Sequence, residues 1–132
     1  MAPIYIGAFL TPESKATLLE RIRPLHPKVF AEHCTIKFKP TPADLQSFEV
    51  GRKVKIKVWG YAADDKGQAV MIEGLDTANA HPHITISCAE GVKPVYSNEL
   101  LERRAGSVAT SSLAPTEQFE LTAIIDTFPR TH

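Results

Sequence analysis

The sequence predicts a single α+β domain over residues 1–132, made mostly of strands with two or three helices covering a sheet. Two kinds of pattern predict this class. Several short segments alternate polar and apolar residues with the two-residue period of a strand, and others carry apolar residues at helical spacing. No linker or low-complexity tract divides the chain. Its residues are 43% hydrophobic, which is enough for one compact core.

The chain is expected to open as a strand followed by a helix. Residues 4–10 form an apolar run that is long enough for a strand but too short for a helix. Thr11 and Pro12 are the residue types favoured at a helix N-cap and at the first helical position. Apolar residues then recur at helical spacing until Pro24, which ends the helical pattern.

Five more strands and two short helices are predicted after this helix. The strands alternate polar and apolar residues or form an apolar run, and they cover residues 32–39, 53–58, 68–75, 81–88 and 119–128. The turn-like residues 64–67 join the second and third of these strands as a hairpin. Short helices are expected at 43–48 and 97–104, and a loop rich in Ser, Thr and Ala at 106–115.

Two of the predicted strands carry the same pattern, His-x-Thr-Ile. The copies are His33-Cys34-Thr35-Ile36 and His83-Ile84-Thr85-Ile86, and they lie 50 positions apart. In each copy the strand period places His and Thr on one face and the apolar residues on the other. A single copy is common by chance, but two matching copies favour a functional pair.

This pair suits the cleavage of a phosphodiester. The entering oxygen must lose a proton and the leaving oxygen must gain one, and imidazole can do either because it titrates near neutral pH. The non-bridging oxygens need fixed hydrogen-bond donors, which the two threonine hydroxyls would supply. The scheme requires no metal. The predicted catalytic residues are His33, Thr35, His83 and Thr85.

The paired motifs resemble those of the 2H phosphoesterase superfamily, whose signature is two His-h-[Ser/Thr]-h strands, with h a hydrophobic residue. The resemblance implies a two-lobed, duplicated α+β fold with antiparallel sheets around a central cleft and helices on the outside. It also implies metal-independent opening of a 2′,3′-cyclic phosphate on an RNA end or a small cyclic nucleotide. Members include the bacterial RNA ligase/cyclic phosphodiesterase group and the cyclic phosphodiesterase domains of fungal and plant tRNA ligases.

Two features differ from the larger members of that superfamily. The motifs lie closer together in the chain than in the larger bacterial members, which leaves the size of the substrate open. The second motif continues into Ser87 and Cys88 rather than into a bulky apolar residue. Neither difference touches the histidines and threonines, and the sequence does not say which histidine is the acid and which the base.

Five further residues are candidates for contact with the substrate. They are Lys37, His81, Lys93, Tyr96 and Ser97. The first two share a strand face with a motif histidine. The other three belong to a segment expected to form a loop before a helix N-terminus, which could bind phosphate and stack a base on the tyrosine ring.

The sequence predicts neither a metal site nor a cofactor. Cys34 and Cys88 point away from the histidines of their own strands, so one ion could not easily collect both residue types. The two cysteines are instead expected as small buried apolar residues. The formal net charge is zero, which does not indicate a broad nucleic-acid or membrane surface.

No secretory signal or membrane-length apolar run is found, so a location in the cytoplasm or the nucleus is expected. The chain is also expected to be a monomer. The expected partner is an RNA end with a 2′,3′-cyclic phosphate, or a cyclic nucleotide. Three alternatives stay open at this point. The chain could bind an RNA end or nucleotide without turnover, it could trim linear RNA 3′ ends by attack of a ribose hydroxyl, or its motifs could be accidental in a structural protein.

Overall fold

The computed structural model describes residues 4–47, 50–75, 82–94, 96–102, 109–112 and 118–128. The strands are Tyr5–Leu10 (β1), Lys28–Val29 (β2), His33–Phe38 (β3), Lys53–Ala63 (β4), Gly67–Glu73 (β5), His83–Cys88 (β6), Ala109–Ser112 (β7) and Phe119–Phe128 (β8). The helices are Pro12–Arg21 (α1), Pro42–Ser47 (α2) and Tyr96–Glu102 (α3). Every strand and helix predicted from the sequence is present. The short strand β7 lies within the segment that was expected to be a loop.

All of these strands belong to one antiparallel sheet. Its order is β2-β6-β5-β4-β8-β1-β3, and β7 pairs with β4 beside this path. The 2H resemblance implied sheets in two lobes, but the described strands form one continuous sheet. The two halves are joined because β4 pairs with β8 along six residues, from Lys53 opposite Ile124 to Val58 opposite Phe119. The fold is therefore mostly β, with few short helices.

The two end regions of this sheet are linked by the chain that leads into β3. After β2 has paired with β6, the backbone N–H groups of Phe30 and Ala31 donate to the carbonyls of Ile86 and Thr85, each at 2.8 Å. Ala31 has a φ of 54°, in the left-handed region, and there the chain turns away to pair with β1 as strand β3. The sheet therefore curls, and the first motif strand begins beside the second.

The two motif strands pair with their neighbouring strands in equivalent ways: β3 pairs with β1, and β6 pairs with β5. His33 lies opposite Phe9 on β1, and His83 lies opposite Met71 on β5. Each pairing has one irregularity, between Ile6 and Gly7 on β1 and between Gln68 and Ala69 on β5. Such an irregularity bends the strand that carries it. Each motif therefore meets the same local distortion, although the halves of the sheet do not form separate lobes.

The main core lies on the face of the sheet opposite to the histidines. From the motif strands it contains Cys34, Ile36, Ile84 and Ile86, each 1% exposed or less. Helix α1 adds Leu18 to the same cluster. The alternation predicted for both motif strands is thus confirmed, and burial of their apolar faces leaves each His and Thr on the opposite face.

Local sequence explains the ends of the helices. The Thr11 side chain accepts a hydrogen bond from the Ser14 backbone N–H at 3.2 Å, and Pro12 occupies the first turn of α1, as predicted. Helix α3 packs through Leu100 and Leu101 in a second cluster, together with Met71 of β5. Among the described helices, none has both the length and the apolar character needed to cross a membrane.

A buried polar network ties the segment after α1 to the sheet. Gln68 on β5 is 1% exposed, and its amide donates to the Arg23 carbonyl at 2.9 Å. Its side-chain oxygen accepts from the Leu25 N–H at 3.0 Å and from the Ser87 hydroxyl at 2.6 Å. The residues between α1 and β2 are therefore held against β5, and through Ser87 against the end of β6, the strand that carries the second motif.

Replacing Gln68 by leucine is expected to lower the free energy of unfolding by about 1–3 kcal/mol, since buried polar partners would lose their hydrogen bonds. Urea unfolding at equilibrium measures this change. Gln46→Leu on the exposed surface of α2 is the matched control, with an expected change within about 0.5 kcal/mol. Equal losses for both variants would contradict a stabilising role for the network.

Candidate active site

The fold brings the two predicted motifs together. His33, Thr35, His83 and Thr85 are all partly buried, on the sheet face opposite to the main core. Strands β3 and β6 are in contact, and the segment just before β3 is hydrogen-bonded to the carbonyls of Ile86 and Thr85 on β6. The charge of a protonated His83 also reaches His33 and lowers its pKa. The two imidazoles are therefore near enough to influence each other electrostatically.

His33 lies against two aromatic rings of β1. Its imidazole is stacked on Tyr5, with ring centroids 5.0 Å apart and planes at 19°, and it is tilted against Phe9 at 5.2 Å. Burial lowers the pKa of His33 below its ordinary value of 6.5, and the charge on His83 adds to this effect, while the nearby Glu32 carboxylate opposes it. His33 is therefore neutral at pH 7 and able to accept a proton.

Thr85, the threonine of the second motif, is in hydrogen-bond contact with helix α3. The hydroxyl oxygens of Thr85 and Ser97 are 2.7 Å apart, and either can donate. The Thr85 hydroxyl also lies 3.4 Å from the Pro94 carbonyl. Ser97 is only 1% exposed. Its position therefore favours support of Thr85 over the contact with substrate that the sequence suggested.

Lys37 lies two residues after Thr35 on β3, beyond the irregularity in its pairing with β1, and forms an ion pair with α2. Its ammonium nitrogen is 2.8 Å from a carboxylate oxygen of Asp44. The hydrogen bond from Lys37, helped by the Thr41 backbone N–H, lowers the pKa of Asp44 to about 2. The Lys37 side chain stays 39% exposed, so the pair places a cation beside the first motif without burying it.

The other predicted substrate-binding residues lie in different environments. Lys93 is exposed in the loop before α3. Tyr96 is 9% exposed, and its hydroxyl donates to the Asp64 carboxylate. Its ring covers Gly67, where an added Cβ would come within 2.9 Å of the ring, so its position favours packing over stacking on a base. His81 lies outside the described residues.

Three neighbours of the site were not identified from the sequence. Phe9 contacts His33 only because β1 pairs with β3, which local patterns do not reveal. Glu32 directly precedes His33 in the chain, so its influence on the pKa of His33 could have been anticipated from the sequence. For Asp44 a signal was available. Thr41 and Asp44 form a reciprocal capping pair, in which each backbone N–H donates to the other side chain, at 2.8 and 3.2 Å.

The cysteines have the predicted environment. Both Cys34 and Cys88 are free and buried. Burial raises the pKa of the Cys34 thiol to about 12, so this thiol stays protonated at neutral pH. Within the described residues, no group of three or more His, Cys, Asp and Glu side chains is arranged to hold a metal ion.

Comparison with known protein families assigns the chain to one of them. The model of the fungal tRNA ligase phosphodiesterase domain matches residues 35–124, which is more than half of the chain. The chain belongs to this family. The matched span of the tRNA ligase phosphodiesterase domain includes Thr35, His83 and Thr85, and His33 lies two positions before it. The resemblance to the 2H phosphoesterases that the two motifs predicted is confirmed.

One solved protein structure has a fold similar to that of this chain. The chain is similar to the crystal structure of a fungal RNA kinase, with a TM-score of 0.63 and 16% sequence identity. The match covers 94% of this phosphodiesterase domain and 46% of the fungal chain, so the domain spans about half the length of that protein. No curated protein sequence matches the chain.

Proposed function

We propose that this phosphodiesterase domain opens a 2′,3′-cyclic phosphate on an RNA end, or on a small nucleotide, by two-histidine acid–base catalysis. The observation that carries the proposal is the contact between the two motif strands, β3 and β6. The influence of the His83 charge on the pKa of His33 supports one shared site for the two imidazoles. Membership in the tRNA ligase phosphodiesterase family supports an RNA end as the natural substrate, in the joining of tRNA fragments.

The chemistry needs only the two imidazoles and one water molecule. The water oxygen attacks phosphorus and passes its proton to one histidine. The bond from phosphorus to a ribose oxygen breaks on the opposite side, and that oxygen takes a proton from the other histidine. One water is added, and the product is a phosphomonoester with a free ribose hydroxyl. The charge that develops on the non-bridging oxygens would be stabilised by the hydroxyls of Thr35 and Thr85.

Within this scheme we assign His33 as the general base. A base must be neutral before the reaction, and the buried setting of His33 favours its neutral form. His83 would then enter the reaction protonated and supply the proton to the leaving ribose oxygen. Two exposed or partly exposed cations are suited to the phosphates of a longer RNA: Lys37 on β3 and Lys93 in the loop between β6 and α3.

The direct test is hydrolysis of the four nucleoside 2′,3′-cyclic monophosphates, and of a short RNA ending in a 2′,3′-cyclic phosphate, with EDTA present. We expect a phosphomonoester product, and its 2′ or 3′ position identifies the bond that breaks. Tight binding of the cyclic end without product would instead identify a binding module. Conversion of a linear RNA into one with a cyclic end would identify a trimming enzyme, and either result would overturn the proposal.

The assignment of His33 as base predicts the acidic limb of the pH profile. Activity requires neutral His33, so kcat/KM is present above the pKa of this group and is lost as pH falls through it. Because burial lowers that pKa from 6.5, the midpoint of the limb is expected below pH 6.5. Initial rates with a cyclic mononucleotide from about pH 4 to pH 9 measure the midpoint.

A variant of Glu32 provides the control for this profile. Among the residues that the structure describes, three ionisable groups influence His33 directly or lie against it: Tyr5 on β1, Glu32 before β3 and His83 on β6. The Glu32 carboxylate raises the pKa of His33, so Glu32→Gln is expected to move the acidic limb to lower pH with little loss of maximal rate. A midpoint above pH 6.5, or one that does not respond to Glu32→Gln, would contradict the assignment.

A further inference from the structure

The first motif histidine is enclosed by a cluster of aromatic rings. The ring centroids of Tyr5 and His33 are 5.0 Å apart, those of Phe9 and His33 are 5.2 Å apart, and those of Tyr5 and Phe9 are 6.2 Å apart. The three rings thus form a triangle, with the imidazole in contact with both carbocyclic rings. Tyr5 and Phe9 are four residues apart on β1, so both side chains leave the strand on the face of His33.

Gly7 makes this cluster possible. It lies between Tyr5 and Phe9 on β1 and opposite Thr35 on β3. A Cβ added at this position would lie 3.3 Å from Tyr5 Cε2 and 3.4 Å from Phe9 Cε2. The same Cβ would lie 3.3 Å from the Cys34 carbonyl oxygen, in the strand that carries the histidine. The two rings therefore close over a position that has no side chain.

The two motif histidines differ in the residue that lies opposite each of them on the partner strand. The residue opposite His33 on its partner strand is Phe9, whereas the residue opposite His83 is Met71. Met71 belongs to the cluster under α3 together with Tyr96. The residues directly opposite the two histidines therefore differ, with an aromatic ring opposite His33 and a thioether side chain opposite His83.

We infer that Tyr5 and Phe9 are positioning residues that hold the imidazole of His33 in one orientation for catalysis. The inference rests on the proposed function. A histidine side chain can rotate among several staggered conformers, and contact with two rings favours the one conformer in which both contacts are made. Offset ring contacts of this kind also favour a defined ring plane. Since proton transfer depends on the distance and angle of the imidazole nitrogen, a mobile ring would slow the reaction.

Steady-state kinetics with a cyclic mononucleotide separate stacking from the tyrosine hydroxyl. Tyr5→Leu and Phe9→Leu keep an apolar side chain but remove the flat ring, and each is expected to lower kcat by about 10- to 100-fold. The effect falls on kcat, with KM changed by less than about twofold, because the rings act on the base and not on the substrate. Tyr5→Phe keeps the ring and is expected to retain the wild-type kcat.

Phe119→Leu is the matched control. This aromatic residue is partly buried against the main core at the start of β8. The guanidinium carbon of Arg21 lies over its ring, 5.2 Å from the ring centroid. Its loss is expected to lower the melting temperature while kcat stays unchanged. A Tyr5→Phe protein as impaired as Tyr5→Leu would overturn the inference, because the hydroxyl and not the ring would then be required.

Proton NMR of the imidazole tests the stacking without any turnover. The ring currents of Tyr5 and Phe9 are expected to shift the carbon-bound protons of His33, and Tyr5→Leu should return them towards the values of a free imidazole. Wild-type protein with shifted signals but no turnover would contradict the proposed function and leave the stacking in place. Activity that depends on His33 but is unchanged in Tyr5→Leu and Phe9→Leu would overturn the positioning role alone.

Discussion

His33→Ala and His83→Ala are each expected to lower kcat for a 2′,3′-cyclic phosphate by about a hundred- to ten-thousand-fold. This is the usual contribution of a positioned acid or base. The two losses should not add in the double variant, because the histidines act in one proton-transfer cycle and either loss breaks it. Both imidazoles are partly buried on the face opposite to the core, so alanine is expected to leave the fold intact. Circular dichroism and thermal melting check this.

The control for these variants is another histidine with defined contacts. The His26 ring nitrogen lies 2.9 Å from the Asp64 carbonyl oxygen, and its backbone N–H donates to the Ser87 hydroxyl. His26→Gln can keep a polar contact to this carbonyl and is expected to retain activity. Full activity in His83→Ala, or losses of equal size in all three variants, would contradict the two-histidine mechanism.

Thr85→Val is expected to lower kcat by about a hundred- to a thousand-fold, the range found when one preorganised donor to a developing negative charge is removed. Valine has nearly the same shape, so the strand should keep its packing while the hydroxyl is lost. The hydroxyl contact with Ser97 at 2.7 Å holds Thr85 in place, which means that little reorganisation is needed in the transition state. Thr35→Val should show a loss of similar size from the first motif.

Ser97→Ala distinguishes direct from indirect action at this threonine. Ser97 is buried behind Thr85 and is expected to act through it, so its loss should be smaller than that of Thr85→Val. The double variant should be no worse than Thr85→Val, because the Ser97 hydroxyl then has no hydroxyl to hold. A larger loss in Ser97→Ala than in Thr85→Val would instead place Ser97 in contact with the phosphate.

The motif strands show how far local patterns carry a prediction. Alternation in residues 32–39 and 81–88 predicted strands with Cys34, Ile36, Ile84 and Ile86 in the core, and all four are buried. This worked because the two-residue period of a strand depends only on neighbouring residues. The cap of α1 at Thr11 was predicted for the same reason, since its hydrogen bond closes within three residues.

The differences between the sequence-based expectations and the structure come from contacts between segments that are distant in the chain. The 2H resemblance implied two lobes, but the pairing of β4 with β8 joins the strands in one sheet. Tyr96 was expected near the substrate because it follows the second motif, yet its hydroxyl reaches Asp64, which is 32 positions earlier in the chain. The link from Ala31 to Thr85 likewise spans more than 50 residues. No local pattern encodes which of several compatible edges a strand will use.

By itself the sequence determined the longer strands and the helices of this domain and the identity of its reactive groups, but not the short strands β2 and β7. Two His-x-Thr strands with apolar alternate residues are enough to predict which side chains leave the core and what chemistry they could perform. Only the tertiary structure decided that the two strands meet, that His33 lies under Tyr5 and Phe9, and that Thr85 is held by Ser97. The physical reason is that side-chain direction follows from backbone geometry over a few residues, whereas contact between distant strands depends on the free energy of the whole packed sheet.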